Sequence, residues 1–148
     1  MIRVEPVDID TIFACRAEVL RSGRPVSEVG FDGDTDPATL HLAAIDDGEV
    51  AGCLTVMAIP MPGDADYTHQ LRGMAVRPAW RGQGVGAKLL AALSTARPGV
   101  RLWCNARQSA IGFYESQGWT QRGAFFDIPH HGPHVRMVAP PAPLDHSH

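Results

Sequence analysis

Apolar and polar positions alternate over residues 40–46, LHLAAID, and that period of two predicts a strand. EVAGCLTVMAI (49–59) returns as its partner strand. Asp47 and Gly48 between them predict a tight hairpin, because both central residues of such a turn need positive φ. Gly52 predicts a bulge in the second strand. A further strand is predicted over 69–76, HQLRGMAV, ending before Pro78. IRVE (2–5), VRLWCN (100–105), WTQRG (119–123) and HVRMVA (134–139) complete the set.

Elsewhere the apolar spacing lengthens to that of a helix. DIDTIFACRAEVLRSG (8–23) places Ile12, Cys15, Ala17, Val19 and Leu20 on one rough face. Asp8 or Asp10 can cap its start, and Gly23 and Pro25 stop it. Residues 84–96 carry a stripe of Val85, Leu89, Ala92, Leu93 and Ala96. SAIGFYESQG (109–118) is the third helix, with Gly118 as its C-terminal stop. Residues 24–39 and 60–67 are polar and irregular and predict loops. The order β-α-β-β-β-α-β-α-β-β implies an antiparallel meander over 40–76. Crossover helices near 90 and 113 imply parallel pairings beyond it. The result is an α/β or α+β sheet covered by helices.

Composition narrows the class. The chain has 148 residues without a repeat or a linker-like stretch, which predicts a single domain over 1–139 and a flexible tail over 140–148. With 45% hydrophobic and 20% charged residues it is a globular sequence. A formal charge of −3 offers no basic surface for nucleic acid. No apolar run reaches the roughly 20 residues of a membrane span, and MIRVEPVDID lacks the apolar core of a signal peptide. Cys15, Cys53 and Cys104 suggest neither a disulfide framework nor a zinc site, so a reducing cytoplasm is the expected compartment.

The densest candidate chemistry is WRGQGVGAK (80–88), where Gly82, Gly84 and Gly86 run directly into a leucine-rich helix. A helix N-terminus presents free N–H groups and a partial positive charge. Glycines let a ligand approach that backbone, so a phosphate is the natural occupant, with Arg81 and Lys88 adding charge at the edges. The P-loop pattern is excluded because no Ser or Thr follows a Gly-Lys pair. Gly82, Gly84 and Ala87 match the dinucleotide spacing, but RPAWR separates them from the strand and RLWCNAR (101–107) holds no acid.

Two longer stretches share a pattern. LRGMAVRPAWRGQGVGAKLLAAL (71–93) resembles the central motif of the GNAT superfamily of N-acetyltransferases: a strand, then Arg/Gln-x-x-Gly-x-Gly/Ala, then a helix. LWCNARQSAIGFYESQGW (102–119) resembles its next motif, which ends in Tyr-Glu-x-x-Gly-Phe/Trp. Within that superfamily the chain is similar to the small bacterial ElaA/YjcF-like branch, through NA…FYE…GW and the late GPHVRM (132–137). The resemblance covers residues 40–138 and is looser before them. It implies an acyl-CoA N-acyltransferase fold, with a central, mostly antiparallel sheet that splays between the strands at 69–76 and 100–105. Acetyl-CoA is the implied cosubstrate. By position, the backbone of Met74, Ala75 and Val76 would pair with the pantetheine amides. Arg81, Gly82, Gln83, Gly84, Val85, Gly86 and Ala87 would hold the pyrophosphate. Asn105 would sit near the cofactor and Tyr114 near the thioester sulfur. Arg107 stands where the branch commonly carries an amide. A homodimer is compatible with the resemblance.

Acetyl transfer needs a neutral amine, a polarised thioester and a stabilised leaving thiolate. Tyr114 is the implied proton donor to sulfur, although by spacing alone it reads as a core aromatic beside Phe113. Histidine suits the base by its ordinary pKa, and strand-borne His69 and His134 lead His41, Asp66 and Glu49. His130, His131 and His134 lie close together, but without a nearby acid or cysteine they make a weak metal site, and no metal is expected. The functional expectation is direct transfer from acetyl-CoA to a primary amine, a small molecule before a protein. The alternative is a non-catalytic acetyl-CoA sensor or interaction module on the same fold.

Overall fold

The computed structural model describes residues 1–20, 29–129 and 131–141. The strands are β1 (Ile2–Pro6), β2 (Leu40–Asp46), β3 (Glu49–Met57), β4 (His69–Val76), β5 (Leu102–Arg107), β6 (Thr120–Ile128) and β7 (Gly132–Val138). The α-helices are α1 (Ile9–Leu20), α2 (Val85–Ala96) and α3 (Ile111–Ser116). They form a mixed seven-stranded sheet in the order β1-β2-β3-β4-β5-β7-β6 with helices flanking it. Among the described residues no helix is long and apolar enough to cross a membrane.

The chain divides into two compact units: Met1–Ala58 with Leu71–Pro98, and Ile59–Gln70 with Gly99–His148. In the first, β1, β2 and β3 pair antiparallel. Asp47 and Gly48 take φ values of 49° and 79°, the paired positive angles that the hairpin requires. The bulge lies beside Gly52: Ala44 faces Gly52 while Ile45 faces Val50, so Ala51 is the extra residue. Ala51 O accepts from Arg77 N, and the Cys53 thiol reaches Gly73 O, so β3 and β4 run in opposite senses. A Cβ on Gly52 would meet Ala75 O at 2.8 Å and Val85 Cγ1 at 3.0 Å, so only glycine lets α2 and β4 close on β3 there. Alternation then puts Cys53 on the opposite face, where it packs with Ile12, Cys15, Ala43 and Ala75 against α1. Cys15 and Cys53, remote in sequence, are neighbours in this layer, where Cys53 pulls the Cys15 thiol pKa down and Cys15 and burial push that of Cys53 up. On the other face Leu89 and Leu93 are fully buried, contributing roughly 1.5–3 kcal/mol each.

In the second unit β5 pairs antiparallel with β7, and β7 with β6. The parallel crossover through α2 is present: β4 pairs with β5 at His69↔Leu102 and Gln70↔Trp103. The ladder stops there, although β5 continues to Arg107. The second predicted parallel pairing is corrected, because β7 inserts between β5 and β6. The last two strands are also longer than predicted. Gly123, at φ 83°, sits in a bulge where β6 advances from Arg122 to Phe126 while β7 moves only from Arg136 to His134. That break in alternation hides the second half of β6 from a period-two reading. The third helix is shorter than predicted, because Gln108–Ala110 form a 3-10 turn before Ile111. Gly118, at φ 87°, follows α3 as expected.

On α1 the expected stripe is incomplete: Val19 and Leu20 are half-buried, whereas Arg16 is fully buried with Ile12, Cys15 and Ala17. On α2, Leu90 is buried, while Ala92 and Ala96 are only half-buried. The predicted stops at Gly23 and Pro25 and nearly all of the predicted tail lie outside the described residues.

Candidate active site

The part of β4 in the first unit, from Leu71 on, carries Met74, Ala75 and Val76 directly into the glycine turn. After Val76, Arg77 is fixed by Glu18 (Nε to Oε2, 2.7 Å) and by Val50 O (3.2 Å). Pro78–Trp80 form a 3-10 turn, and Trp80 Nε1 donates to Asp46 Oδ2 at 2.9 Å. That donation holds the Asp46 carboxyl below its ordinary range. Arg81 is exposed and donates from Nε to Val76 O at 3.3 Å. The chain therefore enters the turn from a fixed stem.

The turn itself is open. Gly82 and Gly84 have φ values of 79° and 77°, and a Cβ built on either meets nothing within 4 Å. Gly84 is the N-cap of α2 in a left-handed conformation, and no side chain caps the helix. The first-turn N–H groups of α2 thus lack both intrahelical acceptors and a capping side chain. An anion can reach these donors without displacing protein atoms.

The same unit holds a buried polar network that the sequence reading missed. Arg16 Nη1 donates to Asp34 Oδ2 (2.8 Å) and Nη2 to Thr55 Oγ1 (2.7 Å). Thr55 Oγ1 meets His41 Nδ1 at 2.8 Å, and His41 Nε2 meets Asp34 O at 2.8 Å. One set of proton positions satisfies the ring: the Thr55 hydroxyl donates to Nδ1, and Nε2–H donates to the carbonyl. His41 therefore has no nitrogen left to act as a base. Arg16 also lies 3.9 Å from the centre of the Phe31 ring, and Arg72 lies 4.3 Å from it. Gly73, at φ 61°, makes room, since a Cβ there would strike Phe31 at 2.9 Å. Burial and the nearby Arg16 charge push the Arg72 pKa down. The only signal in the sequence was an arginine at a position of α1 next to the apolar stripe.

In the second unit β5 divides the candidate residues between its faces. Cys104 faces α3, where it hydrogen-bonds with the Tyr114 hydroxyl. Tyr114 is buried, 5.4 Å from the Phe113 ring centre and 5.1 Å from that of Trp119. Burial raises the Tyr114 pKa well above its ordinary value, as does the neighbouring Cys104. Burial also pushes the Cys104 thiol up to about 12, which leaves it inert as a nucleophile.

Asn105 points to the other face. Its Oδ1 is buried and accepts no hydrogen bond from the described residues. Its cross-strand partner is Arg136, and Arg107 pairs with His134. His134 is buried, with Nδ1 2.8 Å from Gly132 O and its ring 6.2 Å from that of Phe126. The carbonyl can only accept, so Nδ1 carries the proton and Nε2 is the basic nitrogen. His69 is half-buried and bonds Thr68 Oγ1 through Nδ1 at 2.8 Å. Its register partner is Leu102, whereas that of His134 is Arg107. The two histidines therefore sit about 17 Å apart along β5 and do not meet at one site. Asp66 and Glu49 are exposed. Among the described residues no group of three or more His, Cys, Asp or Glu could hold a metal ion. His130 lies outside the described residues.

Residues 37–121 match the sequence profile of the acetyltransferase (GNAT) domain. The chain is 30% identical over 141 residues to the uncharacterised N-acetyltransferase YitI of Bacillus subtilis, covering 93% of this chain and 95% of that protein. Its fold is similar to that of the ribosomal-protein-S18-alanine N-acetyltransferase of Escherichia coli, with TM-score 0.74 at 18% identity over 99% and 98% of the two chains. It is similar also to Escherichia coli ElaA, with TM-score 0.67 at 16% identity over 95% and 100%.

Proposed function

The chain belongs to the GNAT acetyltransferases, and from that premise we propose that it moves an acetyl group from acetyl-CoA to a small primary amine by direct attack in a ternary complex. It is an acyltransferase; the cosubstrate, the acceptor class and the order of events make up the proposal. The observation that carries it is the uncapped glycine turn, where open space stands in front of Gly82 and Gly84.

Coenzyme A fits the residues present. The N–H groups from Arg81 to Ala87 hold its pyrophosphate, and the backbone of Met74, Ala75 and Val76 holds its pantetheine. Asn105 Oδ1 is a buried acceptor without a donor among the described residues, as a residue awaiting a ligand N–H or O–H would be. The bound thioester supplies an activated acyl group. Holding it against the amine removes a bimolecular encounter, worth roughly 7–11 kcal/mol at best.

Tyr114 gives its proton to the departing thiolate. Burial keeps its phenol protonated, so it is available to hydrogen-bond the sulfur as the thiolate leaves. His134 Nε2 takes the proton from the attacking amine, and His69 is the second candidate. Tyr114 and His134 lie on opposite faces of β5. That arrangement suits direct attack, in which the amine arrives from one side and the thiolate leaves on the other. Cys104 does not carry an acyl group, since its thiolate is inaccessible at neutral pH.

The test is thiol release from acetyl-CoA with a panel of primary amines. Turnover that falls in Tyr114→Phe while acetyl-CoA still binds supports the proposal. Saturable CoA binding without turnover on any amine favours the sensor reading.

A further inference from the structure

We propose that Arg136 anchors a carboxylate on the amine acceptor, an inference that rests on the acetyltransferase reading. Asn105, Arg136 and Arg122 form one cross-strand row over β5, β7 and β6, all on the same face. The outer arginine has its counter-charge: Arg122 Nη2 lies 3.2 Å from Asp64 Oδ2. The inner one has none. Among the described residues, no carboxylate meets the Arg136 guanidinium, and its Nε is buried without an acceptor. Two aromatic rings flank it, with Trp103 and Phe126 centred 5.9 Å and 6.0 Å from its guanidinium carbon.

A half-buried cation between two rings, with an unfilled donor, is an unfavourable arrangement for a protein that only needs to fold. It becomes favourable once an anion enters, because the low local dielectric strengthens the pair. Arginine presents a planar fork of donors that matches a carboxylate. The neighbours decide what else the acceptor carries. His134 lies two residues away on the same strand face, about 7 Å along β7, and offers the basic Nε2. A small molecule with a carboxylate at one end and a primary amine at the other could reach both groups. An amino acid is the simplest member of the class.

Two arms test this. In the first, amino acids and their decarboxylated amines are compared as acceptors for wild type, Arg136→Gln and Arg136→Lys. The wild type is expected to favour the carboxylate form by about 10–100-fold in kcat/KM. Arg136→Gln should erase that ratio through KM and leave CoA affinity unchanged, while Arg136→Lys recovers part of it. In the second, binding of the amino acids to the CoA-loaded protein is measured by calorimetry, which needs no turnover. The Arg136→Gln variant should stay folded, because among the described residues it breaks no ion pair and gives up only the two ring contacts. The proposal is overturned if wild type binds both acceptor forms equally, or if Arg136→Gln weakens CoA instead. Absence of turnover with every amine would contradict the acetyltransferase reading, and the calorimetric arm would still decide the role of Arg136.

Discussion

Two regions of the first unit treat their polar groups in opposite ways. Around Arg16, a guanidinium, a carboxylate, a hydroxyl and an imidazole close on one another within 2.8 Å, and all four residues are at most 7% exposed. At the start of α2, backbone donors face open space, with two glycines held at positive φ and no capping side chain. The first region spends most of its hydrogen-bonding capacity on the fold, although Arg16 Nε has no acceptor among the described residues. The second leaves it unspent, with a glycine where a capping side chain would otherwise stand. Partnered polar groups fix a shape; unpartnered ones in an ordered setting mark where a ligand belongs.

The contrast breaks most severely if the Arg16 network proves dispensable. Asp34→Ala strands a buried guanidinium and should reduce unfolding free energy by about 3–5 kcal/mol in denaturant titration. A loss below about 1 kcal/mol would mean that the network does not hold the fold. The Tyr114–Cys104 pair is a harder case, being partnered yet assigned to chemistry. Tyr114→Phe should lower kcat about 10²-fold at constant acetyl-CoA KM; an unchanged kcat would return Tyr114 to the core.

The same pair yields a pH dependence. The folded Cys104 pKa of about 12 lies above its ordinary 9.0, so the unfolded chain releases this proton first. The contribution is therefore full below pH 9 and is lost as pH rises towards 12. Between about pH 8 and pH 10.5 this costs about 2 kcal/mol, and Cys104→Ala should remove that share of the alkaline loss in thermal melts. A smaller effect is expected at the edge of the open region. Arg81→Ala should weaken CoA about tenfold and leave pantetheine, which lacks the nucleotide, unaffected. Equal losses for both would detach Arg81 from the phosphates.

The open region was legible in the sequence because its signals are local. Glycine spacing, the leucine stripe and the preceding strand are all read within LRGMAVRPAWRGQGVGAKLLAAL. The hairpin at Asp47–Gly48 and the element order were legible for the same reason. The Arg16 network was not, because its members come from α1, the loop before β2, β2 and β3, and each looks like a surface residue in its own window. Asp34 read as one of several loop acids, and His41 as a candidate base. The far half of β6 was lost at Gly123, where a bulge breaks the alternation. Whether Asn105 and Arg136 have partners depends on the strand order β5-β7-β6, which no local pattern encodes.

The most direct test of this account is a calorimetric titration of CoA into wild type and Gly84→Val, with circular dichroism confirming that both are folded. Valine would place side-chain atoms in the space before the α2 donors and strain a backbone at φ 77°. The predicted result is saturable binding to wild type and an affinity at least about 100-fold weaker in the variant. Equal affinity in a folded variant would show that the phosphates lie elsewhere.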